Sequence, residues 1–342
     1  MSGSPAIRAA VVGFGLAGSV FHAPAIAANA DYKLVSIVTG NPQRRSQAEQ
    51  SYPGVAIVDS FEQLPFSDLD LVVIGTPPDT HLPLAHAALD AGLAVVVDKP
   101  FAPSSAEAME LVQHAERAGG LLTVYQHRRW DGEIQTLQGL LRSGSLGEVF
   151  RFESAMERWA PQISKPWKAQ GGPGTGVLFD LGTHLIDQAL QLFGPVQKVY
   201  GELNARRADG HSDDDAFVAL LHENGVRSHL TMNLSSARIA PRMRLLGSQA
   251  AYFKQHGDLQ EAQIQAGVGP GQDQYGIDPQ ENGGFLGLGD TAQPIETVRG
   301  NYPRFYELLA ASINESGPPP VDPLDALAAL RIIEQIRTQN SF

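Results

Sequence analysis

Residues 9–18 read Ala-Ala-Val-Val-Gly-Phe-Gly-Leu-Ala-Gly, an apolar run that passes directly into three glycines at the spacing G-x-G-x-x-G. In this pattern Gly13 permits a tight turn, Gly15 lets a pyrophosphate approach the backbone, and Gly18 allows a helix to pack closely on the strand. The N-terminus of that helix offers N–H groups and a positive dipole to phosphates. The stretch therefore predicts a strand, a turn and a helix, with dinucleotide contacts expected at Gly13, Phe14, Gly15, Leu16, Ala17 and Gly18.

The first 125 residues alternate between two kinds of segment. Short, continuous apolar runs lie at residues 9–13, 34–38, 55–58, 69–74, 94–97 and 121–124. Alanine-rich amphipathic segments lie between them, at residues 17–30, 42–51, 81–91 and 104–118. Because continuous apolar runs are typical of strands buried on both faces of a parallel sheet, the alternation predicts a doubly wound α/β domain over residues 1–125.

The pattern changes after about residue 126. Segments 131–142 and 177–192 have helical spacing, whereas residues 196–253 alternate between apolar and polar positions with turn signals between the runs. This predicts an α+β domain over residues 126–342 with a large, mostly antiparallel sheet. Residues 267–300 are dense in Gly, Pro, Gln and Asn and are predicted to form a long ordered loop. The apolar helix predicted at 323–338 is expected to pack on one domain or at the domain junction.

The length and composition of the chain exclude several classes of protein. Its 342 residues suit two domains, and 25 Lys and Arg against 37 Asp and Glu give a net charge of −12. That charge disfavours nucleic acids and membrane surfaces as partners. There is no cysteine, which excludes disulfides and thiolate sites, and the ten histidines have no metal-ligand spacing, so no metal is expected. The sequence contains neither a signal peptide nor a membrane span, so a cytoplasmic protein is expected.

The end of the second predicted strand bears on the choice of cofactor. An NAD site usually places an acidic residue about 20 residues past the first glycines, where it binds the ribose 2′-hydroxyl. Here residues 38–45 read Val-Thr-Gly-Asn-Pro-Gln-Arg-Arg and contain no carboxylate. This predicts NADP(H) as the preferred cofactor and NAD(H) as the alternative, with contacts from Thr39, Asn41, Arg44 and Arg45. The other interpretation is that both arginines are solvated helix residues.

Two further predicted strands end in polar residues. The fourth strand runs into Gly-Thr-Pro-Pro-Asp-Thr-His at residues 75–81, and the fifth runs into Asp-Lys-Pro at residues 98–100. Ligands of open α/β sheets bind at the carboxyl ends of the strands, where a lysine is well placed to contact a substrate hydroxyl. Cofactor contacts are therefore predicted at Thr76, Pro77, Pro78, His81, Asp98, Lys99 and, after the sixth strand, Gln126.

A second chemical motif lies in the helix predicted at 177–192, where residues 180–187 read Asp-Leu-Gly-Thr-His-Leu-Ile-Asp. The i, i+4 spacing places Asp180 and His184 on one helical face. Because an imidazole titrates near neutrality and a carboxylate can orient it, the pair is a candidate general acid–base. The alternative is an ordinary helical Asp–His pair without a chemical role.

The order of these motifs, with His-Arg-Arg-Trp-Asp at 127–131 among them, resembles the Gfo/Idh/MocA oxidoreductases, the group of glucose–fructose oxidoreductase and inositol dehydrogenase. Closer still, the stretches 18–24, 127–131, 152–154, 158–159, 180–190 and 275–281 look like the NADP-dependent scyllo-inositol dehydrogenase branch. The resemblance covers nearly the whole chain. It implies a Rossmann fold, hydride transfer, and catalytic roles for Lys99, Asp180 and His184, with His184 as the proton acceptor. Asp98 stands where the family more often has glutamate.

Arginine and tryptophan side chains supply the candidates for a substrate pocket. Guanidinium and indole N–H groups donate to hydroxyls, and indole faces pack on the C–H groups of sugars. We therefore expect a small polyol or sugar substrate, held between Lys99 and His184 while hydride passes to the nicotinamide. The candidate pocket residues are Arg128, Trp130, Arg158, Trp159 and Trp167, each of which could equally serve interdomain packing.

Two other functions fit the same motifs. One is the reduction of another oxo sugar or of an imine, because the Lys–Asp–His set does not identify a substrate. The other is a non-catalytic nucleotide sensor, in which we would expect the loss of Lys99 or His184, although both are present. In the resembled family the broad sheet of the second domain pairs between subunits, which implies a homodimer or homotetramer formed through residues 196–253.

Overall fold

The computed structural model describes residues 5–163, 169, 171–172 and 174–340. The chain forms two compact units, each assembled from three segments. The first unit contains Met1–His127, Gln260–Tyr275 and Tyr302–Leu327, and the second contains Arg128–Leu259, Gly276–Asn301 and Ala328–Phe342. The predicted division into residues 1–125 and 126–342 stays a prediction. It differs from these units in residues 126–127, 260–275 and 302–327, which group with the first unit.

The α-helices of the described residues are distributed over both units. In chain order they are α1 (Ala23–Ala28), α2 (Pro42–Ser51), α3 (His81–Asp90), α4 (Ser105–Ala118), α5 (Gly132–Ser143), α6 (Thr183–Phe193), α7 (Gln260–Gln265), α8 (Pro303–Glu315) and α9 (Pro323–Asn340). The apolar helix predicted at residues 323–338 is α9, and it runs from the last segment of the first unit into the last segment of the second.

A six-stranded sheet forms the centre of the first unit. Its strands are β1 (Ile7–Val12), β2 (Tyr32–Val38), β3 (Ala56–Val58), β4 (Leu71–Ile74), β5 (Ala94–Asp98) and β6 (Leu122–Tyr125). Their order is β3-β2-β1-β4-β5-β6, and every neighbouring pair is parallel. All carboxyl ends therefore lie along one edge, and the order reverses between β1 and β4, where ligands of such sheets bind.

The burial of these strands explains why their sequence is continuously apolar. Each residue of β4 and β6 is buried, and so are five of the six residues of β1. A strand covered on both faces cannot present a polar residue at every second position without burying it. The doubly wound parallel sheet predicted from the apolar runs is confirmed.

The helix predicted over residues 17–30 begins differently from an ordinary α-helix. Its first part is a π-helical turn, Ala17–His22, and only the rest is α1. Pro24 has no N–H group to bond to the carbonyl four residues earlier, which favours a wider turn before it. His22, the last residue of this turn, is fully buried.

An eight-stranded, mostly antiparallel sheet forms the centre of the second unit. Its strands are β7 (Val149–Glu157), β8 (Val196–Asn204), β9 (Asp215–His222), β10 (Arg227–Asn233), β11 (Met243–Gly247), β12 (Ala251–Lys254), β13 (Gly284–Gly287) and β14 (Gln293–Ile295). The order is β14-β13-β12-β11-β7-β10-β9-β8, in which only the β7–β10 pair is parallel. The predicted α+β character with a large, mostly antiparallel sheet is confirmed.

The glycine-rich stretch 267–300, predicted as one long loop, instead contributes β13 and β14 to the edge of this sheet. A buried lysine fixes it. Lys254 has no exposed surface, and its ammonium donates to the Asp278 carboxylate at 2.6 Å, to Thr297 Oγ1 at 3.2 Å and to the Asn282 carbonyl. A buried ammonium is stable only when its donors are satisfied, so this pairing holds the stretch against β12.

The helices were compared with what a membrane-spanning segment requires. Across the described ranges of the chain, none of the helices combines the length and the apolar character that a bilayer crossing requires.

Candidate active site

The glycine turn after β1 packs tightly against the neighbouring strand end. Gly13 has a φ of +94°, and a Cβ atom added there would lie 2.9 Å from the Gly75 carbonyl oxygen. A Cβ atom at Gly18 would lie 2.0 Å from the Gly13 carbonyl oxygen, so a side chain at either position would collide with backbone. Gly15 is different, because its nearest neighbour is the side chain of Arg44. The turn is closed at Gly13 and Gly18 and accessible at Gly15.

The other predicted residues of this turn face in different directions. Phe14 is buried and packs edge-on against Tyr52, with ring centroids 6.2 Å apart. Leu16 is 48% exposed, and Ala17 lies next to the end of β4, where a Cβ at Gly75 would be 3.3 Å from its methyl group. The phenyl ring of Phe14 therefore serves the core, which leaves its backbone as the part available to a dinucleotide.

Arg44 reaches back from α2 over the glycine turn. A Cβ atom at Gly15 would lie 3.7 Å from Nη1 of Arg44. The side chain of Asn41 accepts a hydrogen bond from the Arg44 N–H at 3.0 Å and thereby caps α2, while Thr39 Oγ1 lies 3.4 Å from the Asn41 nitrogen. Arg44 is exposed and forms no ion pair within the part of the chain that the structure describes. Its guanidinium is thus available to an anionic ligand.

Arg45, the second arginine predicted at this site, binds to other groups of the protein. Its guanidinium donates to the Ile57 carbonyl at 2.9 Å and to the Asp59 carboxylate at 2.6 Å, and Glu49 lies 3.7 Å away. These contacts link α2 to β3 and the residues after it. The predicted pair of arginines is therefore divided, with Arg44 over the glycine turn and Arg45 engaged by carboxylates; a cofactor contact by Arg45 stays a prediction.

His81 connects the strand-end loops that follow β4 and β5. Its Nε2 lies 2.9 Å from the Thr76 carbonyl oxygen, and its Nδ1 lies 3.2 Å from the Phe101 carbonyl oxygen. The ring has no exposed surface, and burial lowers the pKa of His81. We therefore expect His81 to hold the two loops together. The direct cofactor contact predicted for it is untested, and complete burial argues against it.

The remaining predicted cofactor residues lie at the carboxyl ends of β4, β5 and β6. Thr76 Oγ1 accepts a hydrogen bond from the Thr80 hydroxyl at 2.6 Å. Pro77 is exposed, whereas Pro78, Asp98 and Lys99 are half-buried and Gln126 is buried. Asp98 is the last residue of β5, opposite Tyr125 of β6. The parallel sheet thus brings the three predicted strand-end motifs to one edge, as parallel strands require.

In the second unit, Asp180 and His184 lie on either side of a change in helix type. Asp180 belongs to a π-helical turn, Leu178–Gly182, and His184 lies in the first turn of α6. Asp180 is half-buried, and His184 is 3% exposed. Because a π-helix bonds i to i+5, the i, i+4 argument for a shared α-helical face does not hold across this turn.

Asp213 caps the segment that carries Asp180. Its carboxylate accepts the Leu178 N–H at 2.7 Å, and its carbonyl accepts the Val177 N–H at 2.8 Å. Arg337 Nη2 lies 3.3 Å from the same carboxylate. Burial raises the pKa of Asp213, and the positive charge of Arg337 opposes this increase. A Cβ at Gly176 would lie 1.9 Å from this carboxylate, which explains a glycine there. The sequence prediction did not find Asp213, and the Asp-Asp-Asp run at 213–215 was the available signal.

Arg129 and Asp187 form a buried ion pair that fixes α6. Arg129 Nε and Nη2 donate to the two Asp187 oxygens at 2.9 and 2.5 Å, and the side chains are 11% and 2% exposed. Asp187 follows His184 by three residues on α6, so the pair fixes the helix that presents the imidazole. Arg129 was not among the predicted site residues, although it lies inside the motif at residues 127–131 that was singled out.

Arg128 is tied into a second buried network. Its Nη1 lies 3.6 Å from Asp131 Oδ2, and its carbonyl accepts a hydrogen bond from Gln188 Nε2 at 3.0 Å. Gln188 also donates to Asp131 at 3.2 Å, and burial raises the pKa of Asp131 well above its ordinary value. Arg242 completes the network, because its guanidinium donates to Gln188 Oε1 at 3.3 Å and to Glu133 Oε1 at 3.2 Å.

The predicted substrate residues divide into separate groups. Arg128 and the half-buried Trp130 share the turn His127–Trp130. Arg158 and Trp159 follow β7; Arg158 is exposed, and Trp159 is 61% exposed and bridges to Ser235 through its backbone. Trp167, the fifth predicted pocket residue, lies outside the described residues. A substrate role for each stays a prediction.

A search for metal ligands gives no candidate. Among the described residues, no three or more His, Asp or Glu side chains form a group that could hold a metal ion.

Two family models match the chain in succession. A model for the oxidoreductase family with an NAD-binding Rossmann fold matches residues 7–126, and a model for the GFO/IDH/MocA C-terminal domain matches residues 134–253. Together they cover the central parts of both units.

Individual proteins match over nearly their whole length. The oxidoreductase YdgJ of Escherichia coli strain K12 is 38% identical over 334 residues, which cover 96% of this chain and 94% of YdgJ. IolW of Bacillus subtilis strain 168, named scyllo-inositol 2-dehydrogenase (NADP(+)), is 31% identical over 333 residues, covering 96% and 92%. The structure of the oxidoreductase YvaA from Bacillus subtilis superposes with a TM-score of 0.92 at 29% identity, covering 98% and 97%. The family predicted from the motifs is confirmed: the chain belongs to the GFO/IDH/MocA oxidoreductases.

Proposed function

We propose that this protein is an NADP(H)-dependent dehydrogenase that transfers hydride between the nicotinamide and a ring hydroxyl of a cyclic polyol, with scyllo-inositol as the first substrate to test. The observation that carries the proposal is that Lys99 and His184 are both present in a chain that IolW, a scyllo-inositol 2-dehydrogenase, matches over 96% of its length. The name of IolW supports the substrate class and the cofactor, and the chemistry of this chain supports a reaction at a CH–OH group.

The glycine turn fits a dinucleotide phosphate. Side-chain atoms are excluded at Gly13 and Gly18, and the accessible Gly15 has the Arg44 guanidinium as its nearest neighbour. In a chain of net charge −12, this local cation next to backbone N–H groups supplies the attraction for an anion. NADP+ bound there would supply the hydride acceptor, and the protein would supply the orientation and the electrostatics.

His184 is proposed to take the proton of the substrate hydroxyl. An imidazole ordinarily titrates near neutrality and can accept a proton as hydride leaves the carbon. Asp180 is proposed to orient this imidazole. Lys99 is proposed to stabilise the negative charge that develops on the oxygen, because an ammonium group donates strongly to an oxyanion. None of these three roles requires a metal.

Substrate hydroxyls are proposed to bind to guanidinium and indole groups of the second unit. Arg128 is held by Asp131, and Trp130 shares its turn, so both groups are positioned before any ligand arrives. Arg158 and the exposed Trp159 are proposed as further contacts, since indole faces pack on the C–H faces of polyols.

The preference for NADP(H) is proposed to depend on Arg44. Replacing Arg44 with alanine removes a charged donor and is expected to weaken NADPH binding by about ten- to a hundredfold, from roughly 1.5–3 kcal/mol for a charged hydrogen bond. NADH keeps the pyrophosphate but has no 2′-phosphate, so its affinity is expected to fall less than that of NADPH. Fluorescence titration of both reduced nucleotides measures the two effects.

The comparison variant for this prediction is Arg45→Ala. Because Asp59 and Ile57 engage Arg45, its loss is expected to leave the ratio of NADPH to NADH affinity unchanged. Equal losses of NADPH affinity in the two arginine variants would support the sequence prediction that both arginines contact the cofactor. A tighter complex with NADH than with NADPH in the unmodified protein would contradict the preference for NADP(H).

A panel of inositols and aldoses, each incubated with NADP+ and with NAD+, tests the substrate class through the appearance of reduced nicotinamide. We expect scyllo-inositol with NADP+ to give the highest kcat/KM. Turnover of oxo sugars or imines alone would favour the first alternative. Nucleotide binding without turnover of any compound would favour the sensor.

Assembly and location are also proposals. We propose a homodimer or homotetramer formed through the second sheet, on which Tyr200 of β8 and Phe285 of β13 are exposed aromatic residues. A monomeric mass in solution would reject it. The cytoplasmic location predicted from the sequence remains a proposal as well, which fractionation of the producing cells would test.

A further inference from the structure

A line of buried polar groups leads to the residue that precedes Lys99. Tyr306 of α8 has its hydroxyl oxygen 2.8 Å from Nδ1 of His22, and Nε2 of His22 lies 3.7 Å from Oδ1 of Asp98. Tyr306 and His22 have no exposed surface, and the Asp98 side chain is 14% exposed. We refer to Tyr306, His22 and Asp98 as the relay; all three belong to the first unit.

The surroundings of the relay are aromatic and tightly packed. The His22 ring lies 4.4 Å from the Tyr125 ring, and the Tyr306 ring lies 5.6 Å from Tyr32 and 5.3 Å from Phe305. Desolvating polar groups in such a region has a cost that an apolar side chain of similar volume avoids. The parallel sheet itself does not require a histidine here, so a role for the polar groups has to be sought where the line ends, at Asp98.

A tyrosine hydroxyl can donate to or accept from Nδ1 of His22, and the tautomer considered is the one in which Tyr306 donates. Burial raises the pKa of Tyr306 well above its ordinary value, so its hydroxyl keeps its proton and can donate. When it donates to Nδ1, that nitrogen is the acceptor, and the proton of the neutral imidazole is on Nε2. The Nε2–H then faces Oδ1 of Asp98, which at 3.7 Å lies beyond hydrogen-bond distance. The other titratable groups facing the relay are Tyr125 and Tyr32, whose pKa values are likewise raised by burial.

Asp98 links this arrangement to the lysine. It is the last residue of β5, and its backbone is fixed by pairing with Tyr125 of β6. His81, which bonds to the Phe101 carbonyl at 3.2 Å, fixes the chain on the other side of Lys99. The Asp98 carboxylate has the buried His22 imidazole as a neighbour 3.7 Å away.

We propose that the relay positions Lys99: Tyr306 sets the tautomer of His22, His22 orients the Asp98 carboxylate, and Asp98 keeps a fixed negative charge beside the lysine. This inference rests on the proposed function, which gives Lys99 its role in hydride transfer. The relay members are positioning residues, since they act on the reaction through Lys99. A fixed carboxylate beside an ammonium group restricts the direction of that ammonium group.

The variant Tyr306→Phe removes the hydroxyl and keeps the ring. It is expected to lower kcat by roughly ten- to a hundredfold, the cost of a misplaced reacting group. KM for the polyol and the dissociation constant of NADPH are expected to stay within about twofold, because no binding group is lost. The pH profile of kcat is expected to shift, whereas a loss of structure alone would lower activity without moving it.

The control variant is Tyr125→Phe. Tyr125 is also fully buried and packs on the same His22 ring, but its hydroxyl has no hydrogen-bond partner among the residues that the structure describes. Its removal is expected to leave kcat and the pH profile as in the unmodified protein. Equal behaviour of the two variants would overturn the relay.

The tautomer of His22 gives a second readout that needs neither turnover nor a variant. In protein with isotope-labelled histidine, the side-chain nitrogen resonances of His22 are expected to show the Nε2–H form. A Nδ1–H form would overturn the relay.

The variant Lys99→Met separates the relay from the proposed function. Full activity of Lys99→Met would reject the catalytic role of Lys99 and the relay with it. An inactive Lys99→Met beside a fully active Tyr306→Phe would reject the relay alone and leave the proposed function standing.

Discussion

Replacing His184 with asparagine is expected to lower kcat for the best polyol by about 10²–10⁴-fold, the usual contribution of a positioned general acid–base. Asparagine keeps a polar side chain of similar size but cannot accept the proton of a hydroxyl group near neutral pH. Because NADPH is proposed to bind to the first unit, its affinity is expected to stay unchanged. Initial rates and fluorescence titration on the same preparation measure both quantities.

His222→Asn is the matched control for this variant. His222 is another buried histidine of the second unit, with its Nδ1 2.8 Å from the Gly194 carbonyl and its Nε2 2.8 Å from Ser228 Oγ. Burial lowers its pKa, and it serves the fold. Its replacement is expected to reduce stability while kcat per folded molecule remains. If His184→Asn kept kcat within a few-fold of the unmodified enzyme, the proposed proton transfer would be wrong.

The variant Arg129→Met is expected to lower the free energy of unfolding by about 3–5 kcal/mol, because it removes the bidentate ion pair of the buried Asp187 carboxylate. The pair is 11% and 2% exposed and bidentate, so solvent screens it little. Since α6 also carries His184, we expect kcat per folded molecule to fall as well. Urea unfolding followed by tryptophan fluorescence measures the change in stability.

Two comparisons make this prediction specific. The exposed pair Arg304–Glu307, with side chains 47% and 45% exposed, is expected to contribute less than about 1 kcal/mol when Arg304 is replaced by methionine. The double variant Arg129→Met/Asp187→Leu is expected to recover most of the lost stability, because an apolar pair removes the buried carboxylate that has lost its arginine. A single-variant loss no larger than that of Arg304→Met would refute the role given to the Arg129–Asp187 pair.

The features that the sequence predicted correctly depend on short-range patterns. Continuous apolar runs predicted β1 to β6, because a strand buried on both faces has no polar positions, and the helical segments between them predicted the parallel doubly wound order. The glycine turn was predictable because a Cβ atom at Gly13 or Gly18 would collide with backbone atoms. Glycine is therefore required at both positions, and its spacing can be read in the sequence. Each signal lies within a few residues of the structure it specifies.

The missed features depend on contacts between distant residues. Arg129 and Asp187 are separated by 58 positions, and neither residue type nor spacing indicates the pairing. Lys254 and Asp278 lie 24 positions apart, and their buried pair gives the stretch 267–300 strand structure that its glycine and proline content concealed. Arg44 and Arg45 have different contacts because Asp59 binds Arg45. The position of Asp59 relative to α2 follows only from the folded sheet.

The type of helix was a further feature that the sequence did not predict. The sequence indicated helical segments at residues 17–30 and 177–192, but not the π-helical turns with which both begin. Such turns form where the α-helical bonding pattern is interrupted, as before Pro24, and they change which side chains share a face. For Asp180 and His184 this means that the i, i+4 spacing does not by itself place their side chains on one face.

The transfer of deuterium from labelled scyllo-inositol to NADP+ tests the central claim most directly. The purified protein is incubated with NADP+ and scyllo-inositol that carries deuterium on every ring carbon, and the reduced cofactor is isolated for mass spectrometry. Direct hydride transfer predicts NADPH that is one mass unit heavier than the product from unlabelled substrate, because the ring C–D bond supplies the hydride. Unlabelled NADPH, or no reduction with any polyol of the panel, would contradict the proposal.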